Sequence, residues 1–302
     1  MIFGSACCKN ASAVLDMTST GKITIAAMET ALDKIIARKR IEVEKAKAVT
    51  SLDTLKERAS EVGRPRNFFA AVINQRPRRT TRIIAEIKKR SPSAGLIRED
   101  FDVVGIAKQY HDAGAAAISC LTDEVDFGGH LGYIHRIRDA VPLPVLRKDF
   151  IVDKYQIWES RAAGADAVLL IADVLEEGEL VDMAILAREL KMTTLIEAHD
   201  LDRLLKIHQY VGFPHAGYSL LGINNRDLKT MKTDLKHTFR VLEFIEDRKI
   251  VVSESGITSA TDLAKLRQRG VNIVLVGEHL LRQEHPGNAL RELLGQSVEE
   301  ER

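Results

Sequence analysis

The sequence predicts a single (β/α)8 barrel preceded by a helical extension, on three observations. First, eight short β-branched or apolar runs follow Thr81: Ile83 to Ile87, Ala116 to Leu121, Pro144 to Lys148, Ala167 to Ile171, Thr194 to Glu197, Ser219 to Ile223, Ile250 to Glu254 and Ile273 to Val276, with starts roughly 23 to 33 residues apart. Second, the intervals carry apolar residues at helical spacing, such as Leu180, Met183, Ala184, Ala187 and Leu190, as repeated βα units require. Third, acids and amines stand where several runs stop, and in such a barrel that rim carries the chemistry. A doubly wound open sheet needs fewer strands, and no Gly-x-Gly-x-x-Gly follows the first run.

Ahead of the barrel, Met1 to Thr24 mix Ser, Thr, Ala and Gly without a period and are expected to form a variable or disordered leader. Residues 25–80 form the extension. Leu32, Ile35, Ile36 and Val43 recur among many Lys, Arg and Glu from Ile25 to Arg58, which predicts one amphipathic helix whose charges face water. Residues 81–302 form the barrel. Gly114-Ala115 and Gly164-Ala165 precede strands, glycine ending one helix before the chain turns into the sheet.

Composition narrows the classes of function. Forty-four Lys and Arg against 43 Asp and Glu give a net charge of +1, so no global field holds nucleic acid or an anionic membrane. No apolar stretch is long enough to span a bilayer and Met1 to Lys9 lack a secretory core, so a cytoplasmic location is expected. Of three cysteines, Cys7 and Cys8 are adjacent and Cys120 lies in an apolar run, so neither a disulfide framework nor zinc spacing is present and Cys120 is expected in the core. No His, Asp and Glu grouping has metal-ligand spacing, no Ser-His-Asp arrangement follows from strand position, and no cofactor is expected.

The candidate site is read strand end by strand end. Glu86 and Lys88, two apart on the first strand, share a face, and Arg90-Ser91-Pro92-Ser93-Ala94-Gly95 turns the chain immediately afterwards. Lys148 ends the third strand among Val, Leu and Phe; alone it either reaches water or is held by a carboxylate, and Glu197 at the end of the fifth strand supplies one. Glu86, Lys88, Lys148 and Glu197 are thus expected as one mixed ring. The sixth strand exits through Asn224 and Arg226, a pair suited to an anionic, oxygen-rich substrate, although Arg226 beside Asp227 also fits a loop brace. Glycines after strands seven and eight, Gly256 and Gly277, fit a phosphate seat of backbone amides as well as plain turns. Glu278 there is expected to turn its carboxylate outward and offer its N–H. His199 lies near the pocket, whereas His111, His135, His208 and His237 fall in helical stretches as surface or packing residues.

With these residues set out, the chain resembles the indole-3-glycerol phosphate synthase family from about Leu32 to Leu294. The stretches that carry the resemblance are Ile84-Ala85-Glu86-Ile87-Lys88-Lys89-Arg90-Ser91-Pro92-Ser93, Leu146-Arg147-Lys148-Asp149-Phe150-Ile151, Gly164-Ala165-Asp166-Ala167-Val168-Leu169-Leu170-Ile171, Leu195-Ile196-Glu197, Gly222-Ile223-Asn224-Asn225-Arg226-Asp227-Leu228 and Ser253-Glu254-Ser255-Gly256-Ile257. The resemblance implies ring closure of 1-(2-carboxyphenylamino)-1-deoxyribulose 5-phosphate with loss of carbon dioxide and water, in tryptophan biosynthesis. It implies Lys148 as general acid, Glu197 as stabiliser of the positive charge on the aniline nitrogen, and Glu86 and Lys88 in dehydration and substrate holding. It further implies Asn224 and Arg226 at the anthranilate carboxylate, Ser91 at the first loop, Phe127 in an aromatic pocket, and Glu254 and Ser255 lining the cavity. Ser255, Gly256, Gly277 and Glu278 would surround the phosphate, the extension would cap the mouth, and association with other enzymes of tryptophan synthesis is a further expectation. Two departures stand out: His130 follows Phe127-Gly128-Gly129 where the family commonly has Ser, and Glu278 stands where some relatives have Ser.

Two other readings compete. Phosphoribosylanthranilate isomerase shares the phosphate seat, but its pattern has Cys at the end of strand one and Asp on strand six, where this chain has Glu86 with Lys88 and Asn224. A non-catalytic barrel that only binds phosphate would not need four charged groups at the rim.

Overall fold

A computed structural model describes residues 15–17, 23–25, 30–73, 80–199, 201–208, 218–227 and 232–297. Eight parallel strands close into a barrel: β1 (Arg82–Ile87), β2 (Ala117–Leu121), β3 (Val145–Lys148), β4 (Ala167–Ile171), β5 (Thr193–Ala198), β6 (Ser219–Asn224), β7 (Val251–Glu254) and β8 (Ile273–Val276). Each strand pairs with the next, and β8 returns to β1 with Ile273 opposite Arg82 and Val276 opposite Ala85. The sequence runs therefore locate every strand to within about a residue at each end. Gly114 and Gly164 take φ of +84° and +91° just past their helices, the left-handed stop their positions suggest.

Side chains alternate across each strand, so every second residue faces the lumen. Ile84, Leu146, Leu195, Leu220, Val252 and Ile273 pack there as a dry floor, while Ile83, Ala85, Ile87 and Val145 face the surrounding helices. Cys120 is fully buried on the helix side and its thiol is pushed up to about 12 by that burial, as a core residue should be.

The extension wraps both ends of this barrel. Instead of one helix from Ile25 to Arg58, it forms α1 (Ala31–Val49) and α2 (Leu52–Glu61). The break has a local cause: Thr50 leaves helical geometry, and the Ser51 side chain caps the new helix by accepting from Thr54 N at 3.1 Å. Residues 26–29 lie outside the described residues, and Thr30 with Asp33 forms a capping box at the start of α1. A third helix, α3 (Phe68–Ile73), plugs the floor by inserting Phe68 and Val72 beneath the strands. Within the expected leader, the structure describes a three-residue strand, Leu15–Met17, paired antiparallel with Ile23–Ile25; Cys7 and Cys8 lie outside the described residues.

The expectation that the charges of α1 face water holds for Asp33, Lys34, Arg40, Glu44 and Lys45, which are exposed, and fails at Lys39 and Arg38. Lys39 is only 5% exposed, with its Nζ at 2.8 Å from Asp123, 3.0 Å from Asp149 and 2.8 Å from Glu42. Arg38 joins Asp123 and Asp126 at 2.8 and 2.6 Å. Burying these amines is tolerable because the loops after β2 and β3 present carboxylates to them. Alternation within a helix shows which side is polar, and says nothing of acids waiting on another element.

Candidate active site

Four ionisable side chains form one layer of the barrel, each contributed by an odd-numbered strand. Glu86, Lys148, Glu197 and Glu254 each stand two residues beyond a floor residue, after Ile84, Leu146, Leu195 and Val252 respectively. The sequence predicts Glu86, Lys88, Lys148 and Glu197 as the ring and Glu254 only as a lining residue. Counting two residues on from the apolar floor position of strands one, three, five and seven would have found Glu254 as the fourth member, with Lys88 one level higher.

The layer is tightly coupled. Lys148 Nζ lies 3.2 Å from Glu197 Oε2 and 3.5 Å from Glu254 Oε2, and Lys88 Nζ lies 2.6 Å from Glu86 Oε1. Asn224 Nδ2 donates to Glu197 Oε1 at 3.0 Å. Burial disfavours the Lys148 charge, but the carboxylates of Glu197, Glu254 and Glu86 outweigh it and hold the ammonium well above the ordinary lysine value. Burial likewise works against ionised Glu197, yet Lys148, His199 and Asn224 hold that carboxyl well below its usual range. For Glu254 the balance reverses: burial and the neighbouring Glu197 charge push it up to about 8 against the pull of Lys148. Its two carboxyl oxygens are buried without a hydrogen-bond partner among the described residues. The carboxyls of β5 and β7 are thus pushed in opposite directions, Glu197 toward the ionised form and Glu254 toward the protonated one.

Even-numbered strands make room. A Cβ on Gly222 of β6 would land against Glu254 Oε1, and one on Gly277 at the end of β8 would land against Glu86 Oε1. Gly277, expected to serve phosphate, therefore also leaves space for a carboxylate.

Above the layer opens a cavity of about 410 Å³, within the range of small-molecule sites. One wall is apolar: Leu121, Phe127, Phe150, Leu169 and Ile171, with the Phe127 and Phe150 rings 6.0 Å apart. Ala31, Leu32 and Ile35 of α1 reach over the mouth. His130 is not part of this wall; it is exposed and turns toward Tyr133, ring centroids 5.7 Å apart, so the departure from the family pattern leaves the aromatic wall intact.

Opposite the apolar wall, Ser255, Gly256, Gly277 and Glu278 line the cavity, and Ser91 lines it from the β1 loop. Ser255 holds a φ of +66°, an uncommon geometry for a non-glycine residue. Asn225 pins it: its Nδ2 donates to Ser253 Oγ and to the carbonyls of Glu254 and Ser255, each at 3.0 Å, while its Oδ1 accepts from Thr238. Sequence reading quoted Asn225 without a role; a second Asn directly after a strand-end Asn was the available signal.

Glu278 corrects an expectation. Its carboxylate turns toward the cavity, because Arg226 and Arg282 draw it there, at 3.2 and 2.9 Å. Burial works against its charge, but Arg282, Lys88 and Arg226 keep its carboxyl below the usual range. Arg226 donates also to Ser93 Oγ at 2.8 Å, so it stands at the β8 side of the cup, while Asn224 faces Glu197.

No group of three or more metal-ligating side chains occurs among the described residues, and no helix among them is long and apolar enough to cross a membrane. Comparison with known proteins agrees with the geometry. The family described as indole-3-glycerol phosphate synthase matches residues 32–293. An indole-3-glycerol phosphate synthase of Acidithiobacillus ferrooxidans is 45% identical over 265 residues, covering 87% of this chain and 97% of the relative, and one of Rhodopirellula baltica is 45% identical over 254 residues, covering 84% and 95%. Among solved structures, 3-hexulose-6-phosphate synthase from Salmonella typhimurium superposes with a TM-score of 0.55 at 15% identity over 71% of this chain and 97% of its own, a likeness of fold alone. By the extent of the family match and the identity to these relatives, the chain belongs to the indole-3-glycerol phosphate synthase family.

Proposed function

We propose that the cup closes the indole ring of 1-(2-carboxyphenylamino)-1-deoxyribulose 5-phosphate, releasing carbon dioxide and water, as a step of tryptophan biosynthesis. The observation that carries this reading is the odd-strand layer itself: an ammonium within 3.5 Å of two buried carboxyls, set between an apolar aromatic wall and a glycine-bearing loop pair. A substrate with an aryl ring at one end and a phosphate at the other spans such a cavity in one direction.

Attack of the aromatic carbon on the ribulose carbonyl puts negative charge on that oxygen, and a proton must meet it. Lys148 is assigned that role. Its raised proton affinity does not prevent transfer, because the oxygen it faces becomes an alkoxide, a far stronger base than an amine. Glu197, kept ionised, stabilises the positive charge that grows on the aniline nitrogen until loss of carbon dioxide returns electrons to the ring. Dehydration then needs a proton on the departing hydroxyl and a base for the adjacent carbon. Glu86 with Lys88 is assigned to this half, and Glu254, whose carboxyl is pushed toward the protonated form, stands within the same layer to share it.

The backbone of Ser255, Gly256, Gly277 and Glu278 is assigned to the phosphate, with Lys88 and Arg226 supplying positive charge beside it. Phe127 and Phe150 would hold the aryl ring, Asn224 would meet its carboxylate, and Ser91 and Ser93 would border the first loop. A cytosolic location fits a substrate that carries both a carboxylate and a phosphate and does not cross bilayers.

The test mixes purified chain with the carboxyphenylamino-deoxyribulose phosphate and follows indole fluorescence for the native chain and Lys148→Ala. Absence of indole from the native chain rejects the reading. Rearrangement of phosphoribosylanthranilate, in place of indole formation, would favour the isomerase.

A further inference from the structure

Behind Glu197, outside the cavity lining, lies an imidazole between two carboxylates. His199 Nδ1 bonds Asp173 Oδ2 at 2.8 Å, its backbone N–H donates to the same oxygen at 3.1 Å, and its Nε2 sits 3.0 Å from Glu197 Oε1. The Nε2 contact is ionic and off-line, for that nitrogen lacks a well-directed hydrogen bond among the described residues. Asp173, in the loop after β4, is the outermost member with its side chain 20% exposed; the His199 side chain is 12% exposed and that of Glu197 3%.

We propose that His199, held by Asp173, is a positioning residue that fixes Glu197 in its ionised form and orientation and so separates its role from that of Glu254. The geometry requires a division of this kind. Glu197 and Glu254 both approach Lys148, and one ammonium between two buried carboxyls leaves open which carboxyl stays ionised. A second cation on the outer side of Glu197 removes that ambiguity, because nothing comparable stands behind Glu254, whose oxygens lack hydrogen-bond partners among the described residues.

The groups that face Glu197 are Lys148 from β3, Asn224 from β6, Glu254 from β7 and His199 just past the end of β5; Asp173 acts through His199, and Glu86 on β1 acts through Lys148. Burial opposes the imidazolium, but Asp173 and Glu197 raise it to about 10, so the cation persists across the working range. β1 shows the same arrangement in miniature: Glu86 is followed two residues later by a cation on its own face, Lys88. There the cation reaches the cavity, whereas on β5 it is turned away from substrate.

This proposal rests on the cyclisation assigned above for its kinetic arm, and a second arm is independent of it. In the unliganded chain, ring-nitrogen NMR should find His199 carrying both protons through pH 8, and Asp173→Asn should bring its loss of a proton closer to neutrality. A His199 titrating near 6.5 in the native chain overturns the proposal whatever the chain catalyses. In the kinetic arm, His199→Gln keeps a donor of similar reach without the charge. Its kcat should fall more than its KM rises, and the acid limb of its pH profile should move upward by about 1 to 3 units as Glu197 becomes easier to protonate. Asp173→Asn should show a smaller shift in the same direction. An unmoved acid limb in His199→Gln, with native turnover present, overturns the proposal. Absence of turnover in the native chain rejects the cyclisation reading, and the NMR arm then decides this one.

Discussion

Lys148 and its two chain neighbours belong to different machines. Lys148 points into the lumen, while Arg147 and Asp149 point outward into a second buried charge cluster. There Arg147 meets Asp149 at 3.1 Å and Glu159 at 2.8 Å, Thr122 donates to Asp149 at 2.6 Å, and Lys39 of α1 closes the set at 3.0 Å. Burial works against the Asp149 carboxylate, and Arg147, Lys39 and Thr122 hold it below its usual range regardless. In the lumen, the Glu254 carboxyl is left without a hydrogen-bond partner among the described residues and shifted toward neutrality. Satisfied charges fix a structure; incompletely satisfied charges remain available to react, and the two kinds lie one residue apart on a single strand.

The largest effect that separates the two clusters is on turnover. Lys148→Ala should lower kcat by about a hundredfold to ten-thousandfold, the usual contribution of a positioned acid, with the fold retained because His199 and Asn224 still hold Glu197. Steady-state indole fluorescence with a circular dichroism melt of the same variant checks both halves. A variant that unfolds and turns over poorly in equal measure would erase the distinction.

The outer cluster should fail in the opposite way. Lys39→Met leaves Asp123 to Arg38 and Asp149 to Arg147, so the loss should stay below the about 3–5 kcal/mol of a buried charge left wholly unpaired. Urea unfolding should show that loss. KM should rise more than kcat falls, because Asp123 caps the short helix Glu124–Phe127 that carries Phe127 into the aromatic wall. A fall confined to kcat would place Lys39 in the chemistry instead.

Space around the lumen layer gives a finer test. Gly222→Ala puts a methyl against Glu254 Oε1 and should reduce kcat/KM by roughly tenfold through displaced charges. Gly178→Ala, in the helix Glu177–Glu189 with nothing near the added carbon, should leave kcat/KM unchanged and stabilise by about 0.4–1 kcal/mol. Equal kinetics for the two would mean that the layer tolerates displacement.

The fold was legible because barrel strands and their helices are local signals: short continuous apolar runs for the strands, period near four between them, glycine where a helix stops. Lys148, Glu197 and Glu86 were legible for the same reason, since each ends a run. What escaped depends on contacts between distant segments. Lys39 looked like a solvated residue because its acids are on the loops after β2 and β3, and Glu278 looked like a liability because the guanidinia that hold it come from Arg226 and Arg282. The role of Asn225 likewise needs Ser253 and Thr238 brought to it by folding.

A pH-graded effect on stability concerns Glu254. In an unfolded chain its carboxyl ionises around 4.5, whereas in the fold it keeps its proton to about 8. Below pH 4.5 both states hold the proton and the difference contributes nothing. As pH rises through that window, folding must retain a proton that the unfolded chain has released, so this carboxyl destabilises the fold progressively until about pH 8. Glu254→Gln has no proton to lose in either state. Its melting midpoint should therefore match that of the native chain at low pH and exceed it by an amount that grows toward pH 8, while turnover falls. A difference in midpoint that stays constant across that range would mean that Glu254 is ionised in the fold. The contrast between the satisfied outer cluster and the frustrated lumen would then lose its sharpest member.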